Sequence, residues 1–309
     1  MSLSHLRLLL GSLETLAPLA LAGSWDNVGL LVAHSRPAPP SAPPGPYNVL
    51  LTNDISMQVL EHSLTAFDGA PPSLIISYHP TPFQALKRFS LEAPAARVVL
   101  TAAAHNVAVF SPHTSWDAAP GGLNDWLVEG IVASLGGGSG GRAAASVAPV
   151  KRGAGEAGER GAGDGRLAAL AAPATLWDVV EGVKRHLGLA SVALSLPAHC
   201  AAAAARGPAA VRAAAQALPV ASIAVCAGSG SSVLAGCTGA SVWVTGEMSH
   251  HELLAASAAG VAVVLTHHSN CERGFLPVVA QRLAALLGER AGEFRFLVSA
   301  VDADPLTTL

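Results

Sequence analysis

Three short stretches of the chain place imidazoles and carboxylates at the ends of apolar, strand-like runs. SLIIS runs into Tyr78-His79-Pro80, VAVF into Ser111-Pro112-His113-Thr114-Ser115-Trp116-Asp117, and VAVVLT into His267-His268, with Glu272 four positions after His268. Imidazole nitrogen combined with carboxylate oxygen suits borderline divalent ions such as Zn²⁺, Mn²⁺, Fe²⁺ or Ni²⁺, whereas Mg²⁺ and Ca²⁺ favour an all-oxygen shell. In open α/β sheets, ligands bind in the crevice beyond the carboxyl ends of the strands. His79, Asp117, His268 and Glu272 are therefore candidate metal ligands, provided that the three strand ends converge. Each also has an ordinary explanation. Glu272 can be an acid favoured by a helix dipole, His79 a hydrogen-bonded turn residue before proline, and Asp117 a turn acid. It is their joint placement that points to chemistry.

Two further strand ends carry polar residues. In VTGEMSHHELLAA, Ser249 and Glu252 have the spacing of a capping box, which accounts for both without a functional role. His250 and His251 fall in the first turn of that helix and point in different directions, so at most one faces the crevice; the alternatives are support of a ligand or substrate and plain surface exposure. CAGSGSS places Gly228, Ser229, Gly230 and Ser231 after another apolar run, where backbone N–H groups can form an anion-binding nest. It matches neither the P-loop nor the dinucleotide fingerprint, and a tight turn of small residues is the competing reading.

These side chains need a framework. Short β-branched runs (VGLLVA, NVLLTN, SLIISY, VAVF, then SIAVCAG, SVWVTG, VAVVLT, FRFLVSAV) alternate with helix-like pieces such as SMQVLEHSLTAF, GLNDWLVEGIVASL and GFLPVVAQRLAALLG. That alternation predicts α/β layers with largely parallel strands. Leu6, Leu9, Leu10, Leu13 and Leu16 recur at helical spacing, so the amino terminus reads as an amphipathic helix and not as a signal peptide. Residues 135–166, Gly- and Ala-rich with scattered charge, lack the apolar groups to offset ordering and are expected to be a flexible linker. The expected organisation is thus an N-terminal α/β lobe over 1–134, the linker, and a C-terminal α/β lobe over 167–309.

The 309 residues carry 18 Lys and Arg against 21 Asp and Glu, for a formal charge of −3. No basic run is present, so direct nucleic-acid binding is not expected. Mean hydropathy is +0.44, but much of it is alanine and no run of about 20 strongly apolar residues occurs, so no membrane span is expected. Cys200, Cys226, Cys237 and Cys271 show no paired spacing and read as reduced thiols, which suggests a cytoplasmic protein.

The ordered blocks SWDNVGLLV, SYHPTPF, SPHTSWDAAPGG, CAGSGSSVL, TGEMSHHELL, HSNCERGFL and VSAVDADP resemble the NIF-three-like family, also called type 2 GTP cyclohydrolase I proteins. The resemblance implies two similar α/β lobes with a metal-binding crevice between them, a toroidal homo-oligomer, usually a hexamer, and one or two divalent ions per subunit. By motif, His79 corresponds to the second histidine of S-H-H-P, Asp117 to the aspartate of H-T-x-x-D, and His268 and Glu272 to the ends of H-x-x-x-E, with Glu272 the bridging and catalytic carboxylate. Tyr78 stands where the family has its first histidine, as in the eukaryotic branch, and His113, His250 or His251 could compensate. The linker stands where many relatives carry a larger inserted domain. Two functions follow as expectations. One is a metal-dependent hydrolase acting on a nucleotide-like or other phosphorylated small molecule. The other is a non-enzymatic oligomeric scaffold or transcriptional coregulator that works through protein partners.

Overall fold

The computed structural model describes residues 1–36, 45–135, 144–150, 161–237 and 239–308. The helices are α1 (Leu3–Leu16), α2 (Met57–Ser63), α3 (Pro94–Ala104), α4 (Thr114–Ala118) and α5 (Leu123–Ala133), followed by α6 (Leu176–Leu187), α7 (Pro208–Ala217), α8 (Ser231–Leu234), α9 (His250–Ala258) and α10 (Leu276–Leu287). The strands are β1 (Gly29–Val32), β2 (Tyr47–Thr52), β3 (Leu74–Ser77), β4 (Ala108–Ser111), β5 (Ala144–Val150) and β6 (Gly165–Thr175), then β7 (Ala193–Ser195), β8 (Pro219–Cys226), β9 (Val242–Thr245), β10 (Ala262–Leu265) and β11 (Phe294–Val298). The mixed α/β class expected from the alternation is the class observed. No helix among the described residues is long and apolar enough to cross a membrane.

The chain divides into two compact units. The first comprises Met1–Trp116 with Arg273–Ala303 and is built on a sheet of order β1-β4-β3-β2-β11. β2, β3 and β4 are parallel, β1 is antiparallel to β4, and β11 joins β2 in parallel from Phe294 opposite Tyr47 to Val298 opposite Leu51. The three central strands are buried along most of their length because both faces are covered, as their continuous apolar runs require. Leu50, Ile75 and Val109 meet Val59 and Leu60 of α2 and Val98 and Ala102 of α3 in one core. Ser2 caps α1 by accepting from His5 N, and Leu6, Leu9 and Leu13 bury its apolar stripe.

The second unit comprises Asp117–Glu272 with Asp304–Leu309. Its sheet has the order β5-β6-β8-β9-β10-β7, with β8, β9 and β10 parallel and antiparallel pairs at both edges. Leu234, Trp243, Ala256 and Val263 lie in its core.

This organisation differs from a linear division at residues 134 and 167. α5 packs with α6 and β6 in the second unit, whereas α10 and β11 return the chain to the first. The expected linker is also corrected in part. Of residues 135–166, positions 136–143 and 151–160 lie outside the described residues, but Ala144–Val150 pairs antiparallel with β6 from Val150 opposite Gly165. Neighbouring strands supply the hydrogen bonds that such an alanine-rich composition does not advertise. Arg166 then anchors β6. Its side chain is buried, donates to both carboxylate oxygens of Asp125 at 2.7 and 2.8 Å, and also donates to the carbonyls of Gly163, Gly165, Ala118 and Ala119.

Candidate metal centre

In the first unit, parallel strands bring three polar ends to one edge of the sheet. Tyr78 N donates to Thr52 O and His79 N to Asn53 O, both at 2.9 Å, so the segment after β3 follows the segment after β2. This pairing puts His79 Nδ1 3.0 Å from Asp54 Oδ1. Burial opposes ionisation of Asp54, but its hydrogen bond and electrostatic interaction with His79, helped by Asn53, prevail and hold its carboxyl below the ordinary aspartate value.

After β4, His113 adopts φ +34, uncommon for a residue with a side chain. Its Nδ1 donates to Asp26 Oδ1 at 2.7 Å, and Thr114 N donates to Asp26 Oδ2 at 3.1 Å. The Asp26 side chain is completely buried; burial alone would raise its pKa, and the hydrogen bonds from His113 and Thr114 hold it low instead. Tyr78 is buried, its ring 5.0 Å from that of His79 and 5.5 Å from that of His113.

In the second unit the ends of β8, β9 and β10 interlock. Gly228 O accepts from Gly246 N at 2.9 Å, Glu247 N at 3.1 Å and Thr245 Oγ1 at 3.1 Å. His268 Nδ1 is then 2.9 Å from Glu247 Oε1, and His268 Nε2 is 3.5 Å from Glu272 Oε1. Glu272 is only 2 % exposed.

Gly228 makes this packing possible. Its φ is +64, and a Cβ there would fall 2.7 Å from Glu272 Oε1 and 3.1 Å from His268 Nε2. A cradle that a methyl group would fill, lined by one imidazole nitrogen and one buried carboxylate oxygen, fits a small divalent cation. The neighbouring Cys271 thiol is buried and lies beside the Glu272 carboxylate, which together push its pKa up to about 12, so it stands as a neutral thiol.

The histidines share a design within their separate units. Each gives Nδ1 to a carboxylate, Asp54 for His79 and Glu247 for His268, which fixes the ring and leaves coordination to Nε2. A carboxylate behind a histidine is the usual outer support of a metal-ligating imidazole. His79, His268 and Glu272 are accordingly residues that could hold a metal ion, each offering one ligand atom.

The other expected positions are placed as follows. Asp117 lies on the short helix α4, where the division between units falls, and its carbonyl accepts from Asn124 Nδ2 at 3.3 Å. His250 and His251 are exposed in the first turn of α9, behind the capping box that Ser249 and Glu252 form as expected.

The turn at Gly228, Ser229, Gly230 and Ser231 departs from the anion-nest reading. Gly228 N donates to Cys271 Sγ at 3.3 Å, Gly230 N donates to Thr245 Oγ1 at 3.1 Å, and Ser231 Oγ donates to Glu252 at 2.7 Å. Those donors are engaged within the protein, and a carboxylate stands at the turn. It acts as a tight turn that seats Gly228 against His268 and Glu272.

The sequence reading missed Asp54, Glu247 and Asp26. Asp54 follows NVLLTN and Glu247 follows SVWVTG, so the strand-end rule that found the histidines also reaches these two acids. Asp26 lies ahead of β1 and carries no such signal.

Fold and side chains together define an α/β protein in two units with residues suited to holding a divalent ion. Residues 4–305 match Duf34/NIF3 (NGG1p interacting factor 3), and the chain belongs to that family. It is 37% identical over 295 residues to the protein NIF3 homolog of Schizosaccharomyces pombe, covering 94% of this chain and 92% of that protein. It is 35% identical over 297 residues to NIF3-like protein 1 of Drosophila melanogaster, covering 96% and 87%. Among solved structures, a Bacillus cereus protein related to NIF3 shares the fold with a TM-score of 0.72 at 18% identity, over 98% of each chain. Reduced HcgD from Methanocaldococcus jannaschii does so with a TM-score of 0.65 at 18% identity, over 97% of this chain and 98% of that one.

Proposed function

We propose that this protein is a metal-dependent hydrolase acting on a nucleotide-like or other phosphorylated small molecule, with His79, Asp117, His268 and Glu272 holding one or two divalent ions. The observation that carries this reading is the repeated carboxylate-backed histidine, Asp54 behind His79 and Glu247 behind His268, with the buried Glu272 beside the second. A bound ion would supply a water of lowered pKa and a Lewis acid for an oxygen of the substrate. The chain's own residues do the rest. Asp54 and Glu247 hold the imidazole rings in place, Gly228 leaves the space, and Glu272 keeps a carboxylate where burial is tolerable beside a cation. Tyr78, at the position of the family's first histidine, favours one tightly held ion over two. A cytoplasmic homo-oligomer, hexameric as the family resemblance implies, belongs to the same proposal.

The family description names an interaction with NGG1p, which supports a second reading as a metal-containing scaffold or coregulator acting through protein partners. The test of the first reading is a double-mutant cycle on His79→Gln and Glu272→Gln, with elemental analysis and melting in the presence and absence of chelator. A shared ion requires that the two losses of chelator response be non-additive, because the second change has little metal left to remove. Turnover of a nucleotide panel should vanish with Glu272→Gln. If both variants keep full metal and the full chelator response, the shared site is wrong; partner capture that survives Glu272→Gln then favours the scaffold.

A further inference from the structure

Two large aromatic side chains of the first unit remain exposed beside its candidate ligand. Trp25 is 53% and Phe83 52% exposed, although they lie on different segments their ring centroids are 6.2 Å apart with a 44° tilt. Both turn toward the same histidine: His113 meets Trp25 at 6.0 Å and Phe83 at 5.8 Å, each nearly edge-on, and the His113 ring is 5.3 Å from that of His79. A continuous row of rings therefore leads from solvent to a candidate ligand.

The row is held in place. Asn27 Nδ2 donates to Pro82 O at 2.7 Å, tying the residues after Trp25 to the residue before Phe83. Asp26 N closes a turn onto Gly23 O at 2.8 Å, while the buried Asp26 carboxylate binds His113 and Thr114. Gly23 has a direct part, because a Cβ there would lie 2.7 Å from Trp25 Nε1, so the indole rests against the glycine backbone. A single exposed apolar side chain needs no explanation; two exposed rings held 6.2 Å apart beside polar strand ends call for one.

We infer that Trp25 and Phe83 form the platform on which the planar base of a nucleotide substrate stacks, with the phosphate end directed along His113 toward His79. This inference rests on the metal-dependent reading of the same site, and it selects nucleotides from the wider class of phosphorylated small molecules. Base-on-aromatic stacking tolerates any base because every base has a π-face, and its strength resides in the rings themselves. The surface is accordingly a nucleotide reader without tight base selectivity.

The test is calorimetric titration of the full chain, as purified, with GMP, AMP, UMP and ribose 5-phosphate. The wild type should bind the three nucleotides more tightly than ribose 5-phosphate. Trp25→Ala and Phe83→Ala should each weaken GMP by roughly 5- to 150-fold, the double variant should bring GMP down to the ribose 5-phosphate level, and Trp25→Phe should keep most of the binding. Metal content per subunit should stay at the wild-type value in all of them. Gly23→Ala, which displaces the indole without deleting it, should weaken GMP in the same direction. The inference is overturned if the wild type binds none of the nucleotides or binds ribose 5-phosphate equally well. It is also overturned if the alanine variants keep wild-type affinity for GMP; a change in their sedimenting mass would then assign the rings to an interface between copies. The two readings fail separately. A protein that holds metal but ignores the base loses the platform alone, and one that holds no metal but binds guanosine through Trp25 and Phe83 loses the metal site alone.

Discussion

Gly228→Ala is the substitution that reports most directly on the C-terminal half of the proposed centre. At φ +64 an alanine pays about 1–2 kcal/mol of backbone strain. Its methyl would also lie 2.7 Å from Glu272 Oε1, and Glu272 at 2 % exposure has little room to retreat. Disturbing a ligand through its surroundings typically weakens metal affinity about 10- to 100-fold. With metal at a hundredfold excess over the wild-type Kd, ligand stabilisation is about 2.7 kcal/mol, and it should fall to between about 1.4 and 0.4 kcal/mol in the variant. Gly188→Ala separates the two effects: its φ is +67, but nothing lies within 4 Å of the added methyl. Chemical denaturation with and without chelator, together with elemental analysis, reads both components. Both variants should lose similar stability in chelator, and only Gly228→Ala should lose the stabilisation that metal adds. If Gly228→Ala holds as much metal as Gly188→Ala and responds equally to chelator, the cradle between Gly228, His268 and Glu272 is not an ion site.

Two further outcomes concern the second unit. Asp125→Asn should destabilise by about 3–5 kcal/mol in chemical denaturation because it leaves the buried Arg166 guanidinium without its carboxylate; a loss under about 1 kcal/mol would show that the carbonyls around Arg166 suffice. His186 lies against Trp126, and burial lowers its pKa below the usual histidine value, partly offset by a backbone hydrogen bond to Trp126. Since the unfolded chain then binds the proton more readily than the folded one, this stability is complete above about pH 6.5 and is lost as pH falls from there through the folded pKa. His186→Gln should therefore flatten the fall of Tm between neutral and mildly acidic pH; an unchanged slope would assign that sensitivity elsewhere.

The strands with β-branched runs were readable from the sequence because burial on both faces demands such residues: VLLT, LIIS, VWVT and AVVL all fall within strands of the structure. His79, His268 and Glu272 were found because polar residues after such runs have few reasons to be there other than chemistry. β5 and β6 were missed because alanine is a weak strand former and their stability comes from pairing with neighbours distant in sequence. The return of β11 to β2 was hidden for a related reason. FRFLV announces a strand but not its partner, and nothing local in it distinguishes one sheet from the other. Asp54 and Glu247 were within reach of the rule used, whereas the bond from Asp26 to His113 spans 87 positions and leaves no trace in spacing.

The route of the chain also sets an order of assembly. β11, the last strand of the first unit, follows every strand of the second unit in the sequence. A ribosome adding about 5–20 residues per second needs roughly 10–35 s to go from Trp116 to Phe294. Throughout that interval β2 presents its outer edge without the strand that will cover it, while nearly all of the second unit is being made. The sheet begun first is thus the last to receive its final strand. An unpaired strand edge is a template for another chain, so the nascent protein is most exposed to mispairing while its own closing strand is still being made.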